Sequence, residues 1–206
     1  MKKIVFYTMV AAMLLMVAAC NKKEQPAGMC HIVGLAPNPT LEGKRIFLVP
    51  LTGPATAENV DSVEIHDGKF EFSTDTLMMG KILIDYHYRY GFQPLLVVVE
   101  PGEVKVVVDS ISSASGTPQN DSLQMWKEIT ERHNAQMMEL RKQDGMKAQW
   151  DSVHHAYKLY TRQLAANMKE GVLHDFLKGL YPLTYKRKLS DGRIITVNAD
   201  TNEEIK

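Results

Sequence analysis

The spacing of hydrophobic and polar positions changes character three times along this chain. Ile4 to Ala19 is one apolar run, broken only by Tyr7 and Thr8. From Cys30 to Asp109 apolar residues come in short β-type runs bounded by Gly, Pro, Asn and Asp, and beyond Asn120 they recur at steps of three and four. The first run predicts a signal peptide over residues 1–19: Lys2 and Lys3 precede it, Ala18 and Ala19 close it with small side chains, and it is short for a bilayer crossing of about 20 residues. Residues 20–28, polar and without period, predict a tether.

The middle region, 29–115, predicts strands at Cys30–Leu35, Arg45–Pro50, Val60–His66, Lys69–Ser73, Lys81–Tyr88, Pro94–Val99 and Val104–Asp109. A two-residue turn at Asp67-Gly68 sets His66 against Lys69, Ile65 against Phe70 and Val63 against Phe72, with both apolar pairs on one face. A second pairing about Pro101-Gly102 sets Val99 against Val104, Val97 against Val106 and Leu95 against Val108. Its other face carries Leu96, Val98 and Val107, so it should be covered on both sides.

From 116 to 185 the period is helical. Asn120 or Asp121 is the cap, and Leu123, Trp126, Ile129, Met137 and Leu140 form a seam that Asp144-Gly145 ends. A second helix carries Trp150, Val153, Tyr157, Tyr160, Leu164 and Met168 to Gly171, and a shorter one runs from Val172 to about Leu180, before Pro182. Within the tail, 186–206, Arg193–Asn198 reads as a strand before polar, frayed residues. The expected fold is mainly β with α: a small antiparallel β-sandwich or open barrel of about seven strands, followed by an α-helical hairpin.

Charge adds exclusions. The 24 Lys and Arg balance 24 Asp and Glu, and loss of the leader removes two lysines. No basic field for nucleic acid results. The two cysteines are Cys20 and Cys30. Val17-Ala18-Ala19-Cys20 resembles the lipobox of bacterial lipoproteins, which implies diacylglyceryl transfer to the Cys20 thiol, cleavage before Cys20 and acylation of its amine. The membrane is then a partner through lipid on Cys20. Asn rather than Asp at position 21 departs from the inner-membrane retention signal of enteric bacteria and implies the outer membrane. Lys22 and Lys23 beside the single acid Glu24 differ from surface-directing acidic tethers and imply the periplasmic face.

Four segments occur in the order of a known family: Val60-Asp61-Ser62-Val63, Asp67-Gly68-Lys69-Phe70-Glu71-Phe72, Val99-Glu100-Pro101-Gly102-Glu103-Val104 and Ser115-Gly116-Thr117-Pro118-Gln119-Asn120-Asp121. Over about Met29 to Leu123 the chain resembles the N-terminal β domain of unknown function that precedes thioredoxin-like thiol-disulfide oxidoreductase domains in lipoproteins of Gram-negative anaerobes. In full-length relatives the chemistry belongs to a Cys-x-x-Cys pair. This sequence has no such pair, and the roughly 20 residues after the helices compare with about 100 for a typical domain. No catalytic residue carries over.

The remaining constellations are weaker. Cys30, once Cys20 is lipidated, is the lone thiol, read either as a small buried strand residue or as an exposed thiol for a mixed disulfide with a partner. Asp151 and His155 share a helix face beside His154, but no third ligand is in register, so no metal is expected and the face reads as solvated. Tyr86, Tyr88 and Tyr90 alternate along one strand with Ile82 and Ile84. They offer a ligand surface for sugar or peptide, while packing against the helices is the simpler use. Trp126 and Trp150 read as core. No cofactor is expected, and oligomeric state is not legible. The functional expectation is a lipid-anchored, non-catalytic envelope module that binds a protein, peptide or glycan or positions a redox partner. The alternative is the truncated or split N-terminal part of a thioredoxin-like oxidoreductase.

Overall fold

The computed structural model describes residues 28–84 and 94–205. Eight strands build two four-stranded sheets: β1 (Cys30–Leu35), β2 (Arg45–Pro50), β3 (Asp61–Glu64), β4 (Lys69–Thr74), β5 (Met78–Ile84), β6 (Leu95–Val99), β7 (Gly102–Val107) and β8 (Ser113–Ser115). One sheet has the order β4-β1-β7-β8, the other β3-β2-β5-β6. The sheets face each other as a sandwich, as the period-two alternation implies. The inner faces supply Ile32, Phe70, Phe72, Val104 and Val106 from one sheet and Ile46, Leu48, Ile82, Val97 and Val99 from the other. Fully burying each such side chain contributes about 1.5–3 kcal/mol. Gly34 leaves the space that the Phe70 ring fills; a Cβ there would lie 2.0 Å from that ring.

Three helices follow: α1 (Pro118–Arg141), α2 (Lys147–Asn167) and α3 (Val172–Leu180). They cover the second face of β5 and β6. Met79, Leu96 and Val98 pack there with Leu123 and Trp126 of α1, Ala165 of α2, and Leu173 and Leu177 of α3. The expected two-sided cover of Leu96 and Val98 is therefore present, and the layers run sheet, sheet, helix.

Both expected hairpins turn where the sequence indicates, but neither continues as a ladder. Asp67 and Gly68 both have positive φ, 50° and 66°, and His66 and Lys69 exchange backbone hydrogen bonds across them. Beyond that bridge, Val63 pairs with Ile46 in one sheet while Phe72 pairs with Ile32 in the other. Ile65 donates to the Lys44 carbonyl rather than facing Phe70. The corner at Pro101-Gly102 behaves in the same way. Val99 pairs with Met78, whereas Val104 pairs in parallel with Ile32 and Val106 pairs antiparallel with Ala114. Each pairing expected across these corners would have placed two inner-face rows in one sheet. The chain instead uses the tight turns to cross between sheets, so both apolar rows meet in the core.

Other boundaries shift. β5 starts at Met78 rather than Lys81, the eighth strand β8 was not expected, and β1 and β7 run parallel in an otherwise antiparallel sandwich. The tail is better ordered than its polarity suggests. β9 (Thr184–Lys188) and β10 (Ile194–Asn198) form an antiparallel hairpin, and Ile205 donates back to the Thr196 carbonyl.

Candidate functional site

The residues of the last two family-like segments converge at the joint between sandwich and helices. Asn120 is completely buried, a position that an amide tolerates only when its polar atoms are paired. Its Oδ1 accepts from Val98 N at 2.9 Å, and its Nδ2 donates to Val98 O at 2.8 Å and to Thr117 Oγ1 at 2.8 Å. β6 is the edge of its sheet, so this one side chain satisfies backbone groups that a further strand would otherwise satisfy. Asn120 is thus not the helix cap that its position suggested. Thr117 takes the N-cap position, and Asp121 accepts instead from Gly116 N at 2.9 Å.

Glu100 completes the joint. Its carboxylate, 9% exposed, accepts from Gln119 N at 3.0 Å and from Gln119 Nε2 at 2.6 Å, placing a negative charge against the first turn of α1. Gln119 Oε1 in turn accepts from Leu173 N at the start of α3, 2.8 Å away. Glu100, Gln119 and Leu173 therefore tie β6, α1 and α3 through a single relay. Gly116 enters this joint at φ +101°, and a Cβ there would lie 2.7 Å from the Glu103 carbonyl oxygen.

The second cluster lies between α1 and α2. His133 is stacked on Tyr157 with ring centroids 4.1 Å apart and planes 6° apart. His154 stacks on Trp150 at 5.4 Å, and the two imidazoles are 5.7 Å apart. Tyr181, after α3, meets both His154 and Tyr157 edge-on. Tyr157 OH lies 2.6 Å from Thr130 Oγ1, and Trp126 donates to Thr161 at 3.3 Å. Burial, and then the neighbouring His154, hold His133 below the ordinary histidine pKa. His154 Nδ1 is buried without a hydrogen-bond partner among the described residues. Sequence reasoning placed Trp150 and Tyr157 on the seam of α2, but it missed His133 and read His154 as part of a solvated face, whereas its ring stacks on Trp150 with Nδ1 buried. The signal was the gap in the α1 seam between Ile129 and Met137, where His133 falls seven residues after Trp126 and seven before Leu140.

Among the described residues, those singled out from the sequence do not come together. Cys20, Tyr86, Tyr88 and Tyr90 lie outside the described residues. Cys30 is 2% exposed on the inner side of β1, and burial raises its thiol pKa. The Glu100 backbone lowers it and the Glu100 charge raises it further. Asp151 accepts from Lys147 at 2.9 Å, and His155 is exposed. Among the described residues no group of three or more His, Cys, Asp or Glu is placed to hold a metal ion, and no helix is long and apolar enough to cross a membrane.

The fold and its joint define a two-sheet β domain with a helical cover. Residues 31–123, which run from β1 through the first six residues of α1, match the model of the family described as Domain of unknown function (DUF4369). No curated protein and no solved structure matches the chain.

Proposed function

We propose that this chain is a lipid-anchored, non-catalytic module of the cell envelope. It is held through Cys20 at the periplasmic face of the outer membrane, where it presents its folded body to a protein, peptide or glycan or positions a redox partner. The observation that carries the reading is the use made of Glu100, Gln119 and Asn120. These polar side chains of the family-like segments, buried at Glu100 and Asn120 and half-buried at Gln119, bond to backbone or to one another and fix the sandwich against the helices. Their chemistry is that of a rigid carrier. Cys30 fits the same reading, because a thiol raised in pKa by burial is a poor nucleophile.

Intact-mass analysis of the full chain from the membranes of a Gram-negative host tests the anchor. The expected product begins at Cys20 with acyl mass attached, and Cys20→Ser moves the protein to the soluble fraction. A membrane-extracted product without acyl mass overturns the anchor. Turnover of a disulfide substrate by the purified chain overturns the non-catalytic assignment.

A further inference from the structure

Two imidazoles from facing helices meet inside a mostly apolar stack, and that arrangement has a preferred protonation state. His133 of α1 is 9% exposed, lies 5.7 Å from His154 of α2 and is stacked face to face on Tyr157. No hydrogen bond joins either imidazole to an acidic residue among the described contacts. We propose that His133 and His154 form a proton-operated clasp: neutral, they hold α1 to α2 within the aromatic stack; on proton uptake, like charge and desolvation open that contact and uncover Tyr157.

The groups around His133 support this direction. From α2 it faces His154 and Tyr157, and from the segment after α3 Tyr181 meets both of those. On its own helix the adjacent cation is Arg132, whose charge acts on Tyr160. Four carboxylates of the helical region and tail engage other partners: Glu128 and Glu131 act on Lys127, Asp151 bonds to Lys147, and Asp200 bonds to Lys158 and Arg162. No described carboxylate acts on His133 to stabilise its cation. A charged imidazole here loses hydration and faces a second imidazole, whereas the neutral ring keeps its stack.

The sign follows from linkage. His133 in the folded protein takes up its proton below the value of about 6.5 that it has when unfolded. The unfolded or opened form therefore binds more protons as pH falls, so the clasp is closed above about pH 6.5 and weakens progressively below it.

Imidazole titration by NMR, together with amide hydrogen exchange, on the full chain in detergent micelles tests the clasp between about pH 7.5 and 5. The expected result is a His133 midpoint below that of free histidine and a loss of protection along α1 and α2 of about tenfold or more at the acid end, after correction for intrinsic exchange. The double variant H133F/H154F keeps an aromatic ring at each position and removes both imidazoles, and its protection should not change over the same range. An ordinary His133 midpoint, unchanged α1 and α2 protection in the wild type, or the same acid response in the folded double variant overturns the proposal. If the double variant does not fold, the two wild-type measurements decide.

Discussion

Asn120 closes both backbone groups of Val98, its amide accepting from the N–H and donating to the carbonyl of the edge strand. One residue of a helix thereby takes the place of a neighbouring strand. Replacing it with Leu leaves two buried backbone groups unpaired, each costing about 1–3 kcal/mol. The expected outcome for Asn120→Leu is a lower chemical-denaturation midpoint with unchanged slope. Asn120→Asp should be worse, since it keeps an acceptor for the N–H but sets negative charge against the Val98 carbonyl. A midpoint equal to wild type in both variants refutes this account of the edge.

Gly116 combines positive φ with a close approach to the Glu103 carbonyl. Gly116→Ala must relieve both, by moving either the β8–α1 link or β7. The expected loss is about 1–3 kcal/mol of folding stability, read by denaturation, and the strain lies in the backbone rather than in a lost contact. Gly145→Ala provides the comparison: its φ is also positive, at +80°, but a Cβ there meets nothing within 4 Å, so it should cost less.

Asp200 fastens the C-terminal hairpin to α2. Hydrogen bonds from Arg162 and then Lys158 hold its carboxyl at about 2, below the ordinary 3.8. Arg162 also donates to the carbonyls of Tyr181 and Pro182, so one guanidinium gathers the strand that leaves α3 and the loop that follows β10. A depressed carboxylate stabilises the fold above its unfolded value and loses that contribution as pH falls through its folded one. Amides of Thr184–Asn198 should therefore lose protection between about pH 4 and 2, well below the histidine range. Asp200→Asn should lose the same protection at neutral pH. Equal protection of the hairpin in wild type and variant at neutral pH excludes the fastening.

Cys30 should resist a thiol reagent in the folded chain and react after denaturation, as read by peptide mapping at that residue. Its burial on β1 and its raised pKa both act against a reactive thiolate. Cys30→Ala should remain folded with a loss on the order of 1 kcal/mol, the scale of a small buried group. Rapid labelling under native conditions contradicts the placement of this side chain.

Local features were the legible ones. Alternation in Phe70-Glu71-Phe72 and the Asp67-Gly68 turn identify strands and their boundary because both depend on residues a few positions apart. Which sheet each strand joins depends on partners far along the chain: Ile32 pairs with both Phe72 and Val104, and nothing near Ile32 specifies either. The same limit misdirected Asn120. An Asn ahead of an apolar helical seam reads as a cap, and only the free edge of β6 shows why its amide is used elsewhere. His133 was hidden because an apolar count skips histidine, although its spacing from Trp126 and Leu140 places it on the buried seam. In the tail, Ile194–Asn198 was legible from its β-branched residues, while Thr184–Lys188, rich in Lys and Arg, was not.

The position of β1 also governs how the domain bears load. β1 begins at Cys30 and lies between β4, which runs against it, and β7, which runs with it. Tension drawn along the chain from the residues before Cys30 acts parallel to β1 and across the ladders on both of its sides. Those hydrogen bonds lie transverse to the pull and are strained together rather than one after another. Such a geometry yields by sliding a whole central strand, not by peeling an edge, so the sandwich should resist a pull at its N-terminal end more strongly than one applied through the two-stranded C-terminal hairpin.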